Sequence, residues 1–139
     1  MRDLVDNVKV SRAISPAAVI TANGTTTSQI ANRADFDSLA LIIALGAVTD
    51  GTWVVTMYES DDSGMAGETA VAAGDLLGLS GAATLSLTTT DANKVKKIGY
   101  KGSKQYCRAK AVQSGATSGG FLSAVWEQGH AKVKPQGQS

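Results

Sequence analysis

The chain of 139 residues has one cysteine, one histidine and two prolines. A single cysteine, Cys107, excludes an intrachain disulfide. With one histidine besides, His130, no ligand set for a structural zinc site exists. Charge is sparse and balanced: 13 Lys+Arg stand against 12 Asp+Glu, for a net +1, and charged residues make up only 18% of the chain. Nucleic-acid binding usually needs a basic stripe and a high pI, so neither composition nor the sequence pI of about 7.8 points to such a partner. No apolar run approaches the roughly 18–20 residues of a membrane-spanning helix. The longest, Leu39 to Gly46, is strand-sized. The N-terminus, MRDLVDNVKV, carries charges and lacks an apolar core of signal-peptide length. The expectation is a protein made in the cytoplasm, with no membrane or nucleic-acid partner.

What the chain does have is glycine (15 residues), small residues and β-branched residues. The length suits one domain, 1–139, and allows a core burying about 65–70% of the unfolded surface. The organising stretch is Asp37 to Gly64. Leu39, Leu41, Ile43 and Leu45 alternate with Ala40, Ile42 and Ala44, a period of two that puts one set on one face of a strand. Thr52 to Ser60 is a second strand-like run, with Trp53, Val54, Val55 and Tyr58. Asp50-Gly51 between them is a strong hairpin signal, so the two runs are expected to pair in the middle of a sheet.

Other strands are read at Val5–Ile14, ended by Pro16, with a short continuation at Ala17–Ile20, and at Thr25–Ile30, Ala70–Ala73, Thr84–Thr90, Val95–Tyr100, Gln105–Gln113 and Phe121–Gln128. Gly74–Ser80 reads as a loop or one helical turn, with Asp75 as its cap. In Gln105–Gln113 the small set, Cys107, Ala109 and Ala111, is expected to face the core. About eight short strands with frequent turn signals and no convincing helix predict an all-β fold, one antiparallel β-sandwich or jelly roll. An N-terminal arm (about 1–7) and a polar C-terminal tail (about 129–139) are expected to be flexible.

Residues that could carry chemistry each have a plainer reading. His130 follows the last expected strand and reads as a surface histidine, not as part of a Ser-His-Asp device. Glu59, Asp61 and Asp62 crowd one turn and could hold calcium, but DDSG lacks calcium-loop spacing and these are ordinary turn residues. Lys94, Lys96, Lys97, Lys101 and Lys104, with Tyr100 and Tyr106, could bind phosphate, single-stranded nucleic acid or an acidic protein; lysines on a solvated edge strand are the simpler account. Cys107 reads as a buried, inert thiol. Trp53 and Trp126 could stack on sugars, or anchor a core or interface. GLSGAA at 78–83 lacks the lysine of a phosphate loop. The expectation is therefore no catalytic residue, no metal and no cofactor.

DLVDNVKVSRAISPAAV (3–19), VTDGTWVVTMYESDD (48–62), KVKKIGYKGSKQYCRAKAV (94–112) and GATSGGFLSAVWEQGH (115–130) stand in an order that resembles a group of small tailed-bacteriophage proteins, encoded among head-morphogenesis genes near the major capsid protein. The stretch from Met65 to Leu85 is longer here than in that group, and Cys107 replaces a commonly β-branched or aromatic residue. The resemblance implies a virion structural protein: a capsid decoration or cement protein on the outer surface of an HK97-type head. It implies the major capsid protein as partner and a homo-oligomer, dimer or trimer. The alternatives are a head–tail joining, tail or fibre-base component, and a carbohydrate-binding sandwich using Trp53 or Trp126.

Overall fold

The computed structural model describes residues 4–16, 19–20 and 23–131. Among them eleven strands form: β1 (Lys9–Ile14), β2 (Gly24–Thr27), β3 (Ala31–Asn32), β4 (Phe36–Val48), β5 (Thr52–Ser60), β6 (Thr69–Ala70), β7 (Leu76–Leu77), β8 (Thr84–Leu87), β9 (Val95–Tyr100), β10 (Tyr106–Ser114) and β11 (Gly120–Ala131). Single 3₁₀ turns occupy Ala73–Asp75 and Thr89–Asp91. One sheet has the order β1-β11-β4-β9-β7; the other runs β2-β10-β5-β6, with β3 also on β10 and β8 also on β5. Every pairing is antiparallel. The expected all-β sandwich is therefore present, with two short strands, β3 and β7, that the sequence signals did not mark.

The expected hairpin is not. β4 lies in the first sheet and β5 in the second, so Thr49-Asp50-Gly51 is a corner between sheets. The reason lies in the two apolar faces. Leu39, Leu41, Ile43 and Leu45 of β4 and Trp53, Val55 and Met57 of β5 are all buried. Crossing the gap sets these rows against each other across one interior, whereas a flat hairpin would need a further layer to cover both. β10 and β11 cross at the same end, through 115–119. Asp50 ties the two corners. Its carboxylate accepts the backbone N–H groups of Thr117, Ser118 and Gly119 (shortest distance 2.6 Å, to Gly119) and the Thr117 hydroxyl at 2.5 Å. The Thr49 N–H donates to the Gly119 carbonyl at 2.9 Å. These donors, Thr117 Oγ1 foremost, hold the Asp50 carboxyl at about 2, well below its usual 3.8.

The core follows the expected alternation. Cys107, Ala109 and Ala111 of β10 face inward, and their small volumes admit the fully buried Trp53, Trp126, Leu41 and Ile98. Trp126 donates Nε1–H to the Gln29 carbonyl at 2.9 Å. The Gly74–Ser80 reading is corrected. Asp75 caps nothing with its side chain; its carbonyl accepts the Lys101 N–H, and Leu76–Leu77 pair with Tyr100 and Gly99 as an edge strand. Buried Leu76 explains the change, because a strand turns that side chain inward against β9. The terminal boundaries also move. Gly129 and Ala131 pair with Ser38 and Phe36 inside β11, and residues 4–7 form a turn closed by Asn7 N–H to the Leu4 carbonyl at 3.3 Å. Ala17, Ala18, residues 1–3 and the rest of the expected tail, 132–139, lie outside the described residues.

Candidate protein-contact face

The five-stranded sheet has an outer surface that no described element covers. Its make-up follows from β4, whose sequence from Leu39 to Val48 contains no polar side chain. When one alternate set packs inward, the other must also be apolar. Ala40, Ile42, Ala44 and Gly46 therefore point outward along the central strand. Antiparallel register sets their neighbours. One row reads Val10, Glu127, Ala40, Gly99, Leu77 across β1, β11, β4, β9 and β7. The next reads Arg12, Val125, Ile42, Lys97, and a third Ser123, Ala44, Val95. Phe121 closes over Gly46, where a Cβ on the glycine would lie 3.0 Å from the Phe121 Cβ. Val95, Leu77 and Phe121 are 66%, 50% and 43% exposed. Strands exposed on one side usually alternate apolar with polar; a near-continuous apolar run belongs to a strand covered on both faces. Across β11, β4, β9 and β7 a shallow groove of about 510 Å³ is lined by Leu4, Leu77, Lys97, Lys101, Glu127 and His130, among others.

The opposite sheet presents a different surface. Arg108 and Lys110 of β10 both meet the Glu68 carboxylate, Arg108 Nε at 2.7 Å, and the Lys110 ammonium lies 4.5 Å from the Tyr58 ring centroid. The Arg108 hydrogen bond, with help from Lys110, holds the Glu68 carboxyl below its usual value. Thr25, Thr27, Thr52, Thr56 and Ser86 fill much of the remainder. One broad face of the sandwich is thus mostly polar, its ions paired within the chain around Val54 and Val112, and the other is mostly small and apolar, with Arg12, Glu127, Lys97 and Ser123 set among its apolar positions.

The remaining candidates are dispersed. Glu59 accepts the Tyr100 hydroxyl at 2.5 Å; Asp61 pairs with Lys104 at 2.9 Å; Asp62 accepts the N–H groups of Gly64 and Ala66 and so builds its own turn. No group of three metal-ligating side chains occurs among the described residues. The lysine cluster divides. Lys96 pairs with Asp91 at 3.3 Å, Lys104 with Asp61, and Lys97 and Lys101 border the apolar face. Tyr100 is only 2% exposed, so it offers no platform for a base. Burial and the Glu59 hydrogen bond raise its hydroxyl above the ordinary range. Trp53 and Trp126 are fully buried, which closes the sugar-stacking route through either ring. Burial pushes the Cys107 thiol up to about 12, as an inert core cysteine requires. His130 does not follow the last strand. It sits inside β11 at φ +52°, and its Nδ1 shares a hydrogen bond with Ser38 Oγ of β4 on the open rim of the groove. Sequence reasoning missed this contact because 92 residues separate the two.

No family model matches the chain, and neither does any curated protein sequence. Solved structures that resemble it include a bacteriophage receptor-binding domain, a viral subviral particle and a carbohydrate-binding module. The receptor-binding domain of the spike protein P1 from bacteriophage PM2 is 9% identical, with 95% of this chain and 99% of that one covered and a TM-score of 0.47. The VP2 subviral particle of infectious bursal disease virus is 16% identical, over 90% of this chain and 32% of that one, with a TM-score of 0.40. A carbohydrate-binding module, CBM32 of AlyQ in complex with 4,5-unsaturated mannuronic acid, is 15% identical over 91% and 97%, with a TM-score of 0.39. At these identities none of them transfers a ligand or a role to this chain.

Proposed function

We propose that the chain is a virion structural protein that decorates the outside of an HK97-type phage head and stabilises contacts between capsomers, with the major capsid protein as its partner. The observation that carries the reading is the outer face of the five-stranded sheet. A sandwich with one mostly polar face, its ions paired within the chain, and one mostly apolar face is suited to assembly, since exposed apolar patches mark contact sites. The phage-head resemblance of the four sequence stretches supplies the setting. No catalytic role, metal or cofactor enters the proposal. Many copies on one shell would turn modest single contacts into firm attachment.

The test is to mix the purified protein with heads that lack it, sediment the heads and weigh the bound chain against the major capsid protein. Decoration expects binding that saturates at hundreds of copies per head. Saturation at about a dozen would move the protein to the joining class, where copies are limited by one portal-related ring. No binding at any concentration would overturn the head assignment.

A further inference from the structure

We infer that the outer face of the β1-β11-β4-β9-β7 sheet is occupied by the same face of a second copy, related by a two-fold axis that runs along β4. The inference rests on the assembly reading above: the face that marks the chain as an assembly subunit joins it to a second copy, and the dimer meets the head through its remaining surface.

Two observations commit the face to a copy of itself. The first is the placement of charge. Glu127 lies one strand to one side of β4, opposite Ala40; Lys97 lies one strand to the other side, opposite Ile42, and Lys101 follows on the same strand's end. An axis along β4 turns each copy's β11 over the other's β9. Each Glu127 then meets the partner's Gly99 position, flanked by Lys97 and Lys101, and the pairing occurs twice. The same operation sets Val10 of β1 against Leu77 of β7, both half exposed, and Ile42 against its own counterpart. An isologous contact needs this kind of self-complementarity. Face-to-face sheets also pack with strands within about 30° of parallel, which such an axis permits.

The second observation is size. Six residues of β1, six of β9 and two of β7 beside nine each of β11 and β4, at about 3.3 Å along and 4.8 Å across the strands, give a patch of about 500 Å². Stable interfaces bury about 800 Å² per partner, so the sheet itself supplies more than half of one dimer contact. The exposed Leu4 and Val5 turn lies beside the groove and extends that area. The opposite sheet is less suited to this part, because Arg108, Lys110 and Glu68 are already paired within the chain and its exposed apolar surface centres on Val112.

The experiment is sedimentation velocity on the full chain across a concentration series up to about 100 µM, where a micromolar dimer is fully formed. The expected species has twice the 14.2 kDa chain mass. Ile42→Asp is expected to give a monomer with an unchanged far-ultraviolet spectrum, since Ile42 points away from the core, and with a melt that no longer rises with protein concentration. Glu127→Lys and Lys97→Glu, each placing two like-charge pairs across the axis, are expected to weaken the dimer about tenfold or more. The double exchange, Glu127→Lys with Lys97→Glu, is expected to recover most of that loss. A wild-type monomer or trimer overturns the inference. So does a dimer indifferent to Ile42→Asp, or a double exchange no better than the single ones. A monomer that still coats heads would sink the dimer and leave the head assignment standing. A dimer that never binds heads would do the reverse.

Discussion

The corner at Gly51 gives a direct handle on the topology. Gly51 has φ +88°, and a Cβ placed on it would lie 2.8 Å from the Ala116 Cβ, 3.2 Å from the Ala116 Cα and 3.3 Å from the Ser114 carbonyl oxygen. Gly51→Ala therefore meets two costs. Left-handed backbone in a non-glycine residue costs about 1–2 kcal/mol, and the clash with the β10–β11 corner adds about 1–2 kcal/mol of forced displacement. The expected loss is about 2–4 kcal/mol, read as a fall in the urea midpoint at constant slope. Ala116→Gly alone removes a mostly buried methyl and should cost about 1 kcal/mol. In the double variant the 2.8 Å contact disappears while those to the Ala116 Cα and the Ser114 carbonyl remain, so the two losses should fall short of additive by about 1 kcal/mol. A β4–β5 hairpin would keep the backbone cost at Gly51, but it gives no reason for coupling to a residue 65 positions away. Strict additivity of the two substitutions would refute the corner.

Three further outcomes follow from the same geometry. Cys107 is fully buried and its thiol is moved from 9.0 to about 12; at pH 8 the folded protein should react with a disulfide reagent at least about a thousandfold more slowly than in denaturant, and labelling within minutes would contradict the inward placement of β10. The Asp50 carboxyl is depressed from 3.8 to about 2, so its contribution to stability is present above 3.8 and lost as pH falls through about 2. Asp50→Asn should lower stability at neutral pH and flatten the acid limb between those values; an unchanged limb would show that the corner does not depend on that charge. Tyr100→Phe removes a hydroxyl that donates to Glu59 and accepts the Lys104 N–H at 3.1 Å. It should cost about 1.5–3 kcal/mol, and a neutral effect on the melting temperature would argue against the network.

How much of this was legible in the sequence depends on range. Alternation separated the two faces of β4 and β10, since a period of two needs no knowledge of neighbours. It could not tell which strands pair. Val48 to Gly51 carries hairpin chemistry, and the positive φ at Gly51 is real; only the fate of the two apolar faces makes it a corner. Two-residue strands such as β7 are set by one edge of β9, and nothing local in Leu76-Leu77 marks them. The apolar contact face was visible in part, in a β4 run whose second alternate set is as apolar as the first. The rows that complete it come from β1, β9 and β11 and exist only once the register is known. The same distance hid the Ser38–His130 contact and the role of Asp50.

The most direct test of the assembly reading is immunogold electron microscopy on purified virions, with antibody raised against this chain and shown to bind the free protein. Dense gold over the whole head surface is the expected result. Gold restricted to the neck or tail, or intact particles that carry none, would contradict a decorating role.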